Sequence, residues 1–143
     1  MYLVDTSVWV DFLRGADEAH VRTLEDMLLN PLAVSITPLI YMEILQGARD
    51  LAAFGRLRAY FSGQRFVDFD DPLAGHEAAA RLYFDCRRQG VTVRSSLDCL
   101  IAQCAIESEL TLFHHDKDFR TIGSVAPTLN EMSLLDESTA PGA

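Results

Sequence analysis

Short apolar runs that alternate with helix-like stretches constrain this fold more than any other feature of the chain. Residues 2–4, 32–36 and 110–113 are such runs, and the first of them stops at Asp5. Runs of this length, rich in β-branched and aromatic residues, are typical of buried strands. Because strands that alternate with helices usually pair in parallel, the pattern predicts an α/β fold. We expect a central, mostly parallel sheet of four to five strands with helices on both faces.

Capping residues predict where several helices begin. Thr37 stands before a proline, a pair typical of a helix N-terminus, and Asp17 and Asp50 are expected to cap two further helices. Between the helices, residues 66–69 and a segment at residues 128–129 are candidates for a third strand and a last edge strand. The elements follow one another closely, without an internal repeat or a low-complexity tract.

The length of 143 residues suits one domain, which we assign to residues 1–135. Residues 136–143 have little to bury and are expected to form a flexible C-terminal tail. No apolar run approaches the roughly 18 residues of a membrane span, and no basic segment precedes the first acid. Cys86, Cys99 and Cys104 form no C-x-x-C pair. We therefore expect a cytoplasmic protein with free thiols and no membrane partner.

The formal net charge of −9 disfavours a protein that grips nucleic acid through a broadly basic surface. It does not exclude nucleic acid, because part of the negative charge can lie in one pocket and be neutralised by a bound cation. Eleven of the twelve basic residues are arginines, which bind phosphate through paired hydrogen bonds. The basic residues near the predicted site loops are expected to be solvated rather than bound to phosphate: Arg14, Arg94, Lys117 and Arg120.

Four acids stand at unusual positions. Asp5 and Asp116 follow predicted strands, whereas Glu43 and Asp98 share the apolar stripes of predicted helices. Each has an ordinary structural explanation, since a strand-end Asp often caps a helix and an inward Glu often pairs with a buried Arg. Asp98 also lies three residues after Ser95, the spacing of a capping box. Together, however, the four acids predict a site at the carboxyl edge of the sheet.

Carboxylates that converge need a cation, because like charges raise one another's pKa. Oxygen ligands without His or Cys at ligand spacing suit Mg²⁺, and Mn²⁺ as an alternative. Zinc is disfavoured because His114 and His115 are adjacent and no Cys accompanies them. A bound Mg²⁺ would activate water and neutralise a phosphate, which predicts phosphodiester hydrolysis. Ser7 either adds a hydroxyl to the metal or phosphate, or is simply a residue of the first helical turn.

Four sequence blocks carry a resemblance to a known family. They are V-D-T-S-V-W-V-D-F-L-R-G, T-P-L-I-Y-M-E-I-L-Q-G, S-L-D-C-L-I-A-Q-C-A and H-D-K-D-F, in this order over residues 1 to about 130. Together they resemble a PIN domain, and most closely the VapC toxins of bacterial VapBC toxin–antitoxin modules. The resemblance implies a single PIN-like domain and a metal-dependent endoribonuclease. The catalytic and metal-binding acids that it implies are Asp5, Glu43, Asp98 and Asp116.

The same resemblance implies specific partners. An RNA substrate is expected, together with a cognate VapB-like antitoxin that wraps the toxin and covers its acidic pocket. The toxin is expected to form a homodimer. Through the antitoxin, it is expected to join a larger toxin–antitoxin assembly on operator DNA.

The last block departs from the family pattern. Many relatives show T-R-N-x-x-D-F, whereas this chain has His-His-Asp-Lys-Asp-Phe at residues 114–119. Either Asp116 or Asp118 can therefore be the fourth acid. We favour Asp116 because it is nearer the strand end, with Asp118 as a supporting residue or helix cap.

Two alternatives remain from the sequence. A receiver-like signalling domain also collects acids and Mg²⁺ at strand ends, but it needs a pair of acids after the first strand, whereas Thr6 and Ser7 follow Asp5. A catalytically inactive PIN-type binding module is the second alternative. The presence of all four acids disfavours it.

Overall fold

A five-stranded parallel sheet forms the centre of the molecule. The computed structural model describes residues 1–135, so the tail predicted for residues 136–143 lies outside the described residues. The strand order is β3-β2-β1-β4-β5, and every neighbouring pair is parallel, which confirms the predicted α/β fold. The strands are β1 (Tyr2–Val4), β2 (Val34–Ile36), β3 (Arg65–Phe66), β4 (Thr111–Phe113) and β5 (Glu131–Met132).

Seven α-helices accompany the sheet within residues 1–135. They are α1 (Thr6–Leu13), α2 (Ala19–Met27), α3 (Pro38–Gln46), α4 (Leu51–Phe61), α5 (Pro72–Arg88), α6 (Ser96–Glu107) and α7 (Lys117–Val125). The connections through α1 to α4 step from β1 toward β3, and those through α5 to α7 step the opposite way, toward β5. Because such crossovers are right-handed, the two groups of helices lie on opposite faces. None of the helices described is long and apolar enough to cross a membrane.

Three strand predictions need correction. β2 begins at Val34 instead of residue 32, because Asn30 caps a 3₁₀ turn at Pro31–Ala33. β3 covers only Arg65–Phe66 instead of 66–69, pairing with two residues of β2. The edge strand lies at Glu131–Met132 rather than at 128–129, because the chain is still turning at Leu129, whose N–H donates to the Ala126 carbonyl. The three strands exist close to where they were predicted, but the residues at which each begins and ends depend on its pairing with the neighbouring strand.

The capping predictions are confirmed at two of three positions. The side chains of Thr37 and Asp50 accept hydrogen bonds from the first turns of α3 and α4. Asp17 does not cap α2. The N-cap of that helix is Glu18, and Asp17 instead lies 2.6 Å from the Arg22 guanidinium.

The core fixes the ends of β1 and β4 side by side. Trp9 is fully buried and meets the Phe61 ring edge-on at a centroid distance of 4.8 Å. Val4 of β1 lies in register with Phe113 of β4, and the Asp5 N–H donates to the Phe113 carbonyl at 2.9 Å. The two central strands thus end at the same edge of the sheet. The acids that follow these strands are brought together by the backbone itself.

Candidate metal centre

Asp5 is both the last residue before α1 and its N-cap. Its Oδ2 accepts hydrogen bonds from the Ser7 N–H at 2.9 Å and from the Ser7 hydroxyl at 2.6 Å. The residue is only 5% exposed, and this burial raises the pKa of Asp5, against the lowering effect of the Ser7 bonds. The nearby Glu43 charge raises it further. Since both hydrogen bonds end on Oδ2, capping α1 leaves Oδ1 available to a cation.

Glu43 reaches this edge from α3. The Thr6 hydroxyl donates to Glu43 Oε1 at 2.8 Å, so the first turn of α1 holds the carboxylate in place. Glu43 is half-buried, and its charge acts on both Asp5 and Asp98. The inward placement predicted from its helical stripe is therefore matched by a specific polar partner, as a half-buried carboxylate requires.

Asp98, Asp116 and Asp118 form a close group of acids. Each offers a carboxylate oxygen, and these oxygens lie within 4.8 Å of one another. Asp98 lies in the first turn of α6, whereas Asp116 caps α7 and accepts a hydrogen bond from the Asp118 N–H at 2.9 Å. Carboxylates this close repel one another unless a cation compensates them.

Asp98 lies within electrostatic reach of four other acids. The pKa of Asp98 is raised from 3.8 to about 7, chiefly by burial and then by the charges of the surrounding acids. These are Asp5, Asp116, Asp118 and Glu43. All five acids are therefore close enough to form one electrostatic unit. A divalent cation would keep Asp98 ionised at neutral pH.

Arg94 is the basic residue inside this group. Its Nε donates to Asp118 Oδ2 at 2.8 Å and its Nη2 donates to Asp116 Oδ1 at 2.9 Å. The Arg94 backbone N–H adds a longer bond of 3.3 Å to Asp118 Oδ2. The Arg94 side chain is 66% exposed, as expected of a solvated residue, but it also pairs with two acids of the group. No local pattern in the sequence indicated this pairing, because the acids lie 22 and 24 residues away.

His114 supports the loop that carries Asp116. It is fully buried, its Nδ1 accepts from the Asp116 N–H at 3.2 Å, and its Nε2 lies 3.2 Å from Glu131 Oε2. With Nδ1 accepting, the ring proton resides on Nε2 and is donated to Glu131. Burial lowers the pKa of His114, which favours this neutral form. His114 therefore positions the loop rather than exchanging protons with solvent.

His115 fixes the other side of the same loop. Its backbone N–H donates to the Ser7 hydroxyl at 2.9 Å, and its ring stacks on His20 at 3.8 Å between centroids, with planes 11° apart. His20 in turn lies 2.7 Å from Asp11 and 3.3 Å from Glu18. His20, His115, Asp11 and Glu18 each offer a ligand atom, and these atoms lie within 4.8 Å of one another, so this second cluster could also hold a cation. No pattern in the sequence singles out His20 for this role.

Comparisons with known proteins identify the family of this chain. The PIN domain profile matches residues 2–125. The VapC ribonuclease Mb1587 of Mycobacterium bovis and ribonuclease VapC11 of Mycobacterium tuberculosis are each 36% identical over 126 residues, 87% of this chain and 93% of theirs. This chain belongs to the VapC branch of the PIN-domain family. The family's nucleases use a divalent metal, and the oxygen-only donor set of this PIN domain fits such an ion.

Solved structures show the same fold at low sequence identity. DNA-bound VapBC from Salmonella typhimurium has a TM-score of 0.72 and 20% identity, covering 92% of this chain and 96% of that one. FitAcB from Neisseria gonorrhoeae has a TM-score of 0.70 and 20% identity, again covering 92% and 96%. The PIN-domain architecture is thus shared over nearly the whole chain.

Proposed function

We propose that this chain is the toxin component of a type II toxin–antitoxin system and a metal-dependent endoribonuclease. The observation that carries the proposal is the convergence of Asp98, Asp116 and Asp118 at the carboxyl edge of the sheet, within electrostatic reach of Asp5 and Glu43. The VapC ribonucleases that share 36% identity with this chain point to RNA as the substrate. Because the chain is a PIN domain, the receiver-like alternative is set aside.

The proposed catalytic and metal-binding residues are Asp5, Glu43, Asp98 and Asp116. They would hold Mg²⁺, or Mn²⁺, which when bound supplies an acidified water and a positive charge for the phosphate. Ser7 fixes the Asp5 carboxylate through two hydrogen bonds, and Thr6 orients Glu43 beside it. Glu43 is thereby placed to orient a water molecule at the same centre.

We favour Asp116 over Asp118 as the fourth acid. The Asp116 side chain is 25% exposed, whereas that of Asp118 is 6% exposed and accepts hydrogen bonds from two groups of Arg94. A ligand must reach the ion, so the more accessible carboxylate is the better candidate. Asp118 then acts as a supporting residue that anchors Arg94.

A toxin role requires an antitoxin partner, and we propose a VapB-like protein. A groove of about 790 Å³ runs between α1, α3 and α4, and its apolar lining includes Val10, Ile44 and Tyr60. Glu43 also lines it, so a segment bound there would reach the acidic site. Three arginines in the lining, at positions 14, 49 and 56, would pair with acidic residues of the partner. Operator DNA would then be bound through the antitoxin, with the toxin as a homodimer.

The proposed location is the cytoplasm. The three cysteines are buried and free, which suits a reducing compartment.

The activity is tested with the purified chain and a mixed RNA substrate. We expect cleavage with Mg²⁺ or Mn²⁺, and a fall of at least about 100-fold when EDTA removes the ion, because the acids alone repel the phosphate. Re-addition of Mn²⁺ should restore the rate. Cleavage that persists in EDTA would contradict the metal mechanism. A folded, Mn²⁺-binding protein that cleaves no RNA would instead support the inactive binding module.

A further inference from the structure

We propose that Arg94 occupies the place of a second cation, so that the site binds one divalent ion per chain. The inference rests on the proposed metal-dependent function and specifies how many ions serve it. Arg94 contacts two of the five carboxylates. The other carboxylates have no positively charged partner among the described residues, and this difference is the basis of the inference.

The guanidinium of Arg94 bridges two of the five acids. It donates through Nε to Asp118 and through Nη2 to Asp116, at 2.8 and 2.9 Å. A guanidinium holds two carboxylates in a fixed planar arrangement, with a charge that does not titrate near neutral pH. The single positive charge of Arg94 therefore already offsets half of the negative charge of Asp116 and Asp118 in the protein without metal.

Within residues 1–135, Asp5 and Glu43 have hydroxyl and amide partners but no basic one. Asp5 is bonded by Ser7, and Glu43 is bonded by Thr6. Neither donor carries a charge, so neither offsets the negative charge beside Asp98. A divalent ion is needed here, on the side of the site that faces α1 and α3. It would share Asp116 with Arg94, since Nη2 uses only Oδ1 of that carboxylate.

Arg94 retains free donors for a further role. Its side chain is 66% exposed although two of its nitrogens are engaged. The remaining N–H groups can donate to a phosphate oxygen, which is the task that a second metal ion performs in two-metal nucleases. One ion and one guanidinium would then flank the RNA phosphate.

The test is calorimetric titration of the full chain with Mn²⁺. We expect one ion per wild-type chain. Arg94→Gln keeps N–H donors but removes the charge, so it should bind a second Mn²⁺ at least about tenfold more tightly than wild type does. Arg94→Met should do the same. Arg94→Lys retains the charge and should bind one ion.

The control is Arg81→Gln, which removes an arginine of similar exposure paired with Asp85, outside the acid group, and should bind one ion. The inference would be overturned if folded Arg94→Gln and Arg94→Met each bound a single ion. It would also be overturned if wild type bound two ions of comparable affinity. Either result would leave the metal-dependent function intact. Wild type that binds no Mn²⁺ would overturn the proposed function and this inference with it.

Discussion

Asp5→Asn is expected to lower the rate of RNA cleavage by at least about 1,000-fold, because the substitution removes a charged ligand from the centre of the acid group. The fold should survive. Asn is as good an N-cap as Asp, so its side-chain oxygen can still accept the hydrogen bond from the Ser7 N–H. The measurement is the initial rate of RNA cleavage with saturating Mn²⁺, alongside a thermal melt.

Asp17→Asn is the matched control. Asp17 is almost fully exposed, pairs with Arg22, and lies outside the acid group, so its removal should leave the cleavage rate unchanged. Equal rates for wild type and a folded Asp5→Asn protein would show that the carboxylate of Asp5 takes no part in the reaction.

Asp98→Asn is expected to raise the melting temperature of the metal-free protein by at least about 3 °C near pH 8. The pKa of Asp98 rises from 3.8 to about 7 on folding, chiefly through burial and then through the neighbouring acids. The folded state thus binds this proton more tightly than the unfolded state does. Asp98 therefore stabilises the folded protein fully only below its pKa in the unfolded state. This stabilisation falls as the pH rises toward the pKa of Asp98 in the folded state, and it is lost above that pKa.

The gain from Asp98→Asn should therefore be largest above about pH 7 and shrink toward about pH 4, where both states are protonated. Thermal melts in EDTA across this range measure it. Asp26→Asn, a change at an exposed acid of α2, controls for net charge. If Asp98→Asn raised the melting temperature equally at the low-pH and high-pH ends of this range, the pKa of Asp98 would not be raised by folding.

Local signals in the sequence were sufficient for much of the fold. Asp5 could be placed at a strand end and at a helix start because both features depend on adjacent residues. The caps Thr37 and Asp50 bond to N–H groups three residues further on, so their function is visible in a short window. The parallel sheet follows from the alternation of such elements. Glu43 and Asp98 were found because each lies beside an apolar stripe.

Contacts between distant residues could not be predicted in this way. Arg94 bonds to acids 22 and 24 residues away, and Thr6 bonds to a glutamate 37 residues away. Nothing near Arg94 distinguishes it from the solvated arginines of the chain. Its role depends on how α6 and α7 pack, which places two acids beside it. Likewise, Asp17 failed as a cap because a salt bridge with Arg22 was available.

A crystal of the full chain grown with Mn²⁺ tests the metal centre most directly, through the anomalous scattering of the ion. We predict one Mn²⁺ at the carboxyl edge of the sheet, bound to oxygens of at least two of the four proposed ligands: Asp5, Glu43, Asp98 and Asp116. An ion bound only elsewhere, such as beside Asp11 and Glu18, or no ion at saturating Mn²⁺, would contradict it.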